Sequence, residues 1–230
     1  MDKNPFPKSH KYDELIKIYT DIAKNGCYTV DGNFVSPDKV FGMSGQEKFK
    51  ELLKKTFLKY NISSLLDYGS GQGSWEKIVD EKNTLKSYLN LKEINYFEPA
   101  RELSKKIISE CVVSFDVLEH VFISDIPWVI YDIFSYSSKL VIINAACYPA
   151  NKVLPNKNNA HTTQRNAFWW KGMTDSIANL FPDIHYMIIA STIYKDVTLF
   201  NSVSRNEYLS VYGHMALKNN IHIVIKVFLI

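Results

Sequence analysis

From residue 61 onward the chain alternates short apolar runs with stretches of helical periodicity, and this alternation constrains the fold more than any other feature. Strands that alternate with helices are joined by crossovers, which produce a parallel sheet with helices on its faces. The sequence therefore predicts an α/β fold with a Rossmann-like, doubly wound, mostly parallel sheet. The predicted strands cover residues 64–68, 94–98, 111–116, 140–144, 184–192 and 221–230.

Apolar residues spaced three and four positions apart predict the helices. A first helix is predicted over 9–24 and a second over 44–60, where Ser44 suits the N-cap and Glu47 the capping-box position. The other predicted helices cover residues 74–79, 101–109, 126–137 and 168–180. No long helix precedes the last strand, so we expect this C-terminal strand to lie antiparallel at an edge of the sheet.

Residues 1–60 precede the first predicted strand and carry both N-terminal helices. We predict that they form a helical lid or cap, with Gly32, Gly42 and Gly45 as candidate hinges, over a sheet domain of residues 61–230. A chain of 230 residues fits one domain of ordinary size with such a lid.

Charge and composition argue against several partners. The 27 basic and 24 acidic residues leave a net charge of only +3, and only three of the basic residues are Arg, so a nucleic-acid partner is not favoured. The lysines of the second predicted helix, Lys48 among them, are expected to form a solvated face. The apolar runs are too short to span a membrane, and three widely spaced cysteines predict reduced thiols. We therefore expect a cytoplasmic protein without a membrane partner.

A glycine-rich turn follows the first predicted strand. The sequence runs D-Y-G-S-G-Q-G-S, from Asp67 through Gly69, Gly71 and Gly73 to Ser74. Alternate glycines allow a sharp bend and a close approach to a ligand, and a helix starting there would present free N–H groups. Ser74 occupies the last glycine position of the dinucleotide fingerprint G-x-G-x-x-G, which disfavours NAD. Asp67 adds an acceptor suited to an amine or cationic group, so we expect a different cofactor.

Two further strand ends carry carboxylates. The second predicted strand ends at Phe97 and Glu98, where the ring could flank a purine and the carboxylate could accept hydrogen bonds from ribose hydroxyls. The third ends at Asp116 and continues V-L-E-H-V. In this order D-x-G-x-G-x-G, Glu98 and D-V-L-E-H-V resemble the motifs of the class I S-adenosylmethionine-dependent methyltransferases, over about residues 40 to 165.

The resemblance implies S-adenosyl-L-methionine as cofactor, with the glycine turn at its methionine part, Glu98 at its ribose and Asp116 near the transferred methyl group. The expected cofactor residues are Asp67, Gly69, Ser70, Gly71, Gln72, Gly73, Phe97, Glu98, Asp116 and Val117. Only about a dozen residues separate Glu98 from the next strand. We therefore expect the strand and helix that the family usually has there to be short or absent.

The acceptor side is predicted from Asp116, Glu119 and His120, which form D-x-x-E-H, and from His161 in a later Asn-rich loop. Carboxylates and imidazoles at this spacing suit Mg, Mn or Fe(II). The set resembles the E-x-x-E-H cluster of metal-dependent relatives, such as the ubiquinone-pathway O-methyltransferases and the small-RNA 3′-end methyltransferases, in which a later histidine completes the site.

Two hypotheses stay open for this side. All four residues could bind a metal, or Glu119 and His120 could line a metal-free pocket, as L-E-H-V does in other members. In the second case His161 would be a general base or an ordinary surface residue. The candidate catalytic residues are His161, His120 and Asp116.

The leading hypothesis for function is O-methylation of a small polar metabolite, such as a sugar or a surface-polysaccharide precursor, which rests on analogy. One alternative is a metal-dependent RNA 3′-end methyltransferase, favoured by D-x-x-E-H and opposed by the low arginine content. Another is a non-catalytic subunit that binds S-adenosylmethionine.

Overall fold

Six strands form one mixed sheet in the computed structural model of the protein, which describes residues 4–42, 45–73, 75–80, 82–103, 105–193, 196–201, 210–213 and 225–228. The described strands are β1 (Cys27–Thr29), β2 (Phe34–Val35), β3 (Ser64–Tyr68), β4 (Glu93–Phe97), β5 (Ser109–Phe115), β6 (Ser137–Ala146), β7 (Lys152–Val153), β8 (His185–Ile193), β9 (Asp196–Asn201), β10 (Ser210–Gly213) and β11 (Ile225–Phe228). The described helices are α1 (His10–Asn25), α2 (Lys50–Tyr60), α3 (Leu85–Tyr88), α4 (Ile126–Ser135) and α5 (Ala167–Ala178), with 3₁₀ turns at Gln46–Phe49, Pro99–Arg101 and Leu118–His120.

The strand order explains where a ligand can bind. The order is β4-β3-β5-β6-β8-β9, and all neighbours are parallel except β8 and β9. The predicted α/β class with a mostly parallel sheet is confirmed. From β3 the chain moves outward to β4, then crosses back to β5 on the other side of β3. The connections after β3 and β5 therefore diverge and leave a crevice at their carboxyl ends.

Five predicted strands are confirmed as β3, β4, β5, β6 and β8, but the antiparallel edge strand is β9 rather than the predicted segment 221–230. Only two residues separate β8 from β9, which is too few for the crossover that a parallel neighbour needs. Within the described residues, β11 instead pairs with β10 in a separate two-stranded sheet.

Two predicted helices are wrong. The helix predicted over 74–79 is absent from its described residues, 75–79, where the backbone N–H of Lys86 donates to the carbonyl of Trp75 and that of Val79 to the carbonyl of Asn83. The predicted helix over 101–109 is replaced by a short turn, in which Glu98 and Leu103 exchange backbone hydrogen bonds. Local pairing thus satisfies donors that a helix would otherwise have used.

The other predicted helices are confirmed as α1, α4 and α5, whereas the predicted helix 44–60 is a 3₁₀ turn followed by α2. Glu47 lies in that turn, and the predicted cap Ser44 lies outside the described residues. Among the described residues, none of the helices is both long and apolar enough to cross a membrane. All three cysteines are free thiols.

Apolar side chains cover both faces of the sheet. Alternate residues of β5 point to opposite faces, Val112 into the cluster under α4 and α5, and Val113 into the cluster under α2. Tyr12 of α1 joins the first of these clusters. Helix α1 therefore packs against the same core as the sheet.

The start of α1 is held by a buried carboxylate. Asp125 is fully buried and accepts hydrogen bonds from the backbone N–H of Ser9 at 2.7 Å and from its hydroxyl at 2.8 Å. Further along the chain, β1 pairs with β2 and β7 in a small antiparallel sheet that was not predicted. Strands of two or three residues are too short to show periodicity, yet this sheet joins the N-terminal segment to the loop that precedes His161.

We predict that Asp125→Ala lowers the free energy of unfolding by about 1–3 kcal/mol, because the N–H of Ser9 would lose a buried charged acceptor. Urea denaturation measures the change. Asp21→Ala is the matched control, since Asp21 is an exposed aspartate of α1 whose side chain accepts a hydrogen bond from the side chain of Asn25. This variant should stay within about 0.5 kcal/mol of the parent. Similar losses in both variants would contradict the anchoring role of Asp125.

Candidate functional site

A cavity of about 540 Å³ lies at the carboxyl ends of β3, β4 and β5, between the sheet and α1. Such a volume is typical of a site for one drug-sized ligand. Of the predicted site residues, the structure brings to its wall Gly69, Ser70, Gly71, Phe97, Glu98, Asp116, Val117, His120 and His161. The cavity wall does not include Asp67, Gln72, Gly73 and Glu119.

The backbone N–H groups of the glycine turn, residues 69–73, donate hydrogen bonds to other groups of the protein. The N–H groups of Gly69 and Ser70 donate to the carbonyl of Phe97, and the N–H of Gly73 donates to the carbonyl of Ser70. The N–H of Gly71 donates to Glu98 Oε2 at 2.9 Å, and that of Gln72 to the carbonyl of Phe41. The expectation of a helix start with free N–H groups is therefore wrong, because each described donor of the turn already has an acceptor.

Two glycines are required where the turn meets its neighbours. Gly69 and Gly71 both have positive φ, which L side chains rarely adopt. A Cβ on Gly69 would lie 2.4 Å from Val117 Cγ2, and one on Gly71 would lie 2.5 Å from the carbonyl oxygen of Phe41. The turn is thus pressed between the β5 loop on one side and the N-terminal segment on the other.

Glu98 closes the end of β4 over this turn. Its Oε2 accepts the N–H of Gly71 and its Oε1 that of Ala100 at 3.1 Å. Burial raises the pKa of Glu98, while these two hydrogen bonds act in the opposite direction. Each carboxylate oxygen can accept more than one hydrogen bond, so capacity remains for a ligand hydroxyl.

Asp67 lies behind the turn rather than in the cavity. It is buried, its Oδ2 accepts the indole N–H of Trp75 at 2.7 Å, and its Oδ1 has no partner among the described residues. Burial raises its pKa to about 7, an effect that the hydrogen bond from Trp75 opposes and that the nearby Glu98 reinforces. Asp67 therefore supports the turn from below.

Asp116 faces the cavity from the end of β5. Its φ is +52°, an uncommon value for a residue other than glycine. The surrounding walls remove water from its carboxyl group and raise its pKa to about 6, against the opposing charge of Lys48. Lys48 also lines the cavity and is at the same time exposed, as expected for a solvated lysine. Lys48 lies in the 3₁₀ turn that precedes α2.

Three side chains that could bind a metal ion lie close together, those of Glu119, His120 and His161. Each offers one potential ligand atom, and these atoms lie within 4.8 Å of one another. The two imidazole rings meet edge to face with centroids 4.8 Å apart. Glu119 is fully buried, its Oε1 accepts the N–H of Ala146 at 2.9 Å, and its Oε2 has no partner among the described residues. Asp116 is not a member of this group.

Backbone carbonyls fix the tautomers of both histidines. Nδ1 of His161 lies 2.5 Å from the carbonyl oxygen of Tyr148, and Nδ1 of His120 lies 3.0 Å from that of Ala160. A carbonyl only accepts, so Nδ1 carries the proton in each ring and Nε2 keeps its lone pair. This orientation is typical of metal-binding histidines. Burial lowers the pKa of both, that of His120 to about 3 with a contribution from His161.

Several residues of the cavity wall were not predicted. Tyr12, Leu15 and Tyr19 line it from α1, and Phe41 and Tyr148 from loops. The apolar stripe of α1 is visible in the sequence, but its pattern does not distinguish a side chain that fills the core from one that lines a cavity.

Searches of family models, curated proteins and solved structures returned no match to the chain.

We predict that Asp67→Asn changes how stability depends on pH. The folded chain holds the proton of Asp67 up to about pH 7, whereas the unfolded chain releases it near pH 4. The contribution of Asp67 is therefore fully present below pH 4 and is lost as the pH rises to about 7. The free energy of unfolding of Asp67→Asn, measured with urea, should rise relative to the parent between pH 4 and 7. Parallel curves would show that Asp67 ionises normally.

Proposed function

We propose that the protein is an S-adenosylmethionine-dependent methyltransferase with a Rossmann-like fold, which methylates an oxygen of a small polar metabolite such as a sugar or a surface-polysaccharide precursor. The observation that carries the proposal is the convergence of the glycine turn, Glu98 and Asp116 on one cavity where the strand order reverses. A topological switch point is where open α/β sheets bind their ligands.

The donor set of the cavity suits this cofactor better than a dinucleotide. A pyrophosphate needs N–H donors, and those of residues 69–73 are already used. The carbonyl oxygens of the turn and the carboxylate of Glu98 are acceptors, which match the ammonium group and the ribose hydroxyls of S-adenosylmethionine. Phe97 and the α1 side chains supply an apolar wall for the base.

The chemistry asks little of the protein beyond placement and proton removal. S-adenosylmethionine supplies a methyl group on a sulfonium, which is a good leaving group. The residues of this chain would align the acceptor hydroxyl and accept its proton, which together provide most of the rate enhancement. Asp116 and His161 line the cavity and are the acceptors of that proton in a metal-free site.

We further propose that Glu119, His120 and His161 bind a divalent ion. The unpaired Oε2 of Glu119 and the two oriented imidazoles fit such an ion, and two imidazoles with one carboxylate suit Mn or Fe(II) better than Mg. A bound ion would supply Lewis acidity and a template for the acceptor oxygen. The same set would serve an RNA 3′-end methyltransferase, but α1 covers the cavity, which favours a small acceptor.

We predict that S-adenosylhomocysteine binds the parent protein and that Glu98→Ala weakens binding by about 1–3 kcal/mol, because charge-assisted hydrogen bonds to the ribose are lost. Calorimetry measures both affinities. Glu102→Gln is the control, since Glu102 is exposed, follows the same strand and does not line the cavity.

If calorimetry shows a heat of binding with NAD but none with S-adenosylmethionine or S-adenosylhomocysteine, the cofactor assignment is contradicted. A screen of acceptors with a labelled methyl donor then distinguishes an enzyme from a binding subunit, because only the enzyme transfers the label.

We predict that Mn²⁺ binds the parent protein and that Glu119→Gln or His161→Ala greatly weakens this binding, because each variant removes one of three ligands. Asp116→Asn should retain it, since Asp116 lies outside the group. Calorimetry with Mn²⁺ after treatment with a chelator checks the prediction, and S-adenosylhomocysteine should bind throughout. Loss of Mn²⁺ binding in Asp116→Asn would restore Asp116 to the ligand set.

A further inference from the structure

Helix α1 places one hydroxyl group against the histidine cluster. Tyr19 lines the cavity, and its Oη lies 2.7 Å from Nδ1 of His120 and 3.2 Å from the carbonyl oxygen of Ala160. Its ring meets the His120 imidazole edge to face, with centroids 5.6 Å apart, and packs against Phe41. A residue of the N-terminal segment is thus in direct contact with a candidate metal ligand.

The Tyr19 hydroxyl, Nδ1 of His120 and the carbonyl of Ala160 are all hydrogen-bonded to one another. The carbonyl of Ala160 can only accept, so both the Tyr19 hydroxyl and Nδ1–H of His120 donate to it. The same Nδ1–H also faces the phenol oxygen, which accepts from it. Two acceptors on one side therefore hold the proton on Nδ1, set the plane of the ring and leave the lone pair on Nε2, the nitrogen that can then bind a metal.

We propose that Tyr19 is a positioning residue that orients His120 for metal binding. This inference rests on the metal site proposed above and extends it to a residue outside the D-x-x-E-H motif. Because Tyr19 belongs to α1, the site is complete only when the N-terminal helix is docked on the sheet. Partners that orient ligating histidines are worth about 10- to 100-fold in metal affinity.

The test compares Tyr19→Phe with Thr20→Val. Tyr19→Phe keeps the ring that packs on Phe41 and removes only the hydroxyl. Thr20→Val removes a neighbouring hydroxyl on the same helix, one that bonds the carbonyl of Ile16 and does not line the cavity. Calorimetry with Mn²⁺ and, separately, with S-adenosylhomocysteine gives two affinities for each metal-free protein.

We predict that Tyr19→Phe weakens Mn²⁺ binding about 10- to 100-fold and leaves the affinity for S-adenosylhomocysteine within a few-fold of the parent. Thr20→Val should leave both affinities near the parent values. Unchanged Mn²⁺ affinity in Tyr19→Phe would overturn the inference. An equal loss of both ligands would also overturn it, because it would show a general loss of packing.

A double-mutant cycle adds a readout that packing alone would not give. In a His120→Ala background Tyr19→Phe should cause no further loss of Mn²⁺ affinity, since the ring that Tyr19 orients is gone. Additive losses would mean that Tyr19 acts independently of His120 and would overturn the inference. If the parent protein binds S-adenosylhomocysteine but no Mn²⁺, the metal site and this inference both fail while the cofactor assignment stands.

Discussion

The reversal of strand order at β3 is the constraint on which the site depends. Because β4 and β5 lie on opposite sides of β3, the loops that follow β3 and β5 diverge, and the glycine turn and Asp116 face the same crevice. Glu98 then links the end of β4 to the turn through the N–H of Gly71. The chemistry of the cavity is thus assembled from three strand ends.

The N-terminal segment is the other half of this site. Helix α1 packs into the core through Tyr12 and is held at its start by the buried Asp125. The carbonyl of Phe41 accepts the N–H of Gln72, so the segment also touches the glycine turn. Covering the cavity in this way removes water from its carboxyl and imidazole groups, and this loss of water explains the raised pKa of Asp116 and the lowered pKa of His120.

The sequence predicted the sheet better than the helices around it. Buried parallel strands are nearly continuous apolar runs, so β3, β5 and β6 stand out. The predicted helix over 74–79 is wrong because apolar periodicity does not reveal the pairing of this segment with residues 83–86. In the site, the motif residues Glu119 and His120 were predicted, and His161 was found from its loop. Tyr19 could not be, because its contact with His120 joins residues far apart in the chain and depends on how α1 docks.

The hydrogen-bond partners of the glycine turn also indicate which kind of cofactor it can bind. Glycine-rich turns are often associated with phosphate because they expose N–H groups. Here the N–H groups of residues 69–72 donate to acceptors of the protein itself, namely the carbonyl of Phe97, the carboxylate of Glu98 and the carbonyl of Phe41. A turn whose backbone donors are satisfied by the protein offers only backbone acceptors to a ligand, and such a backbone favours a cation over an anion. The same glycine spacing can therefore serve opposite ligand charges, and the partners of its N–H groups decide between them.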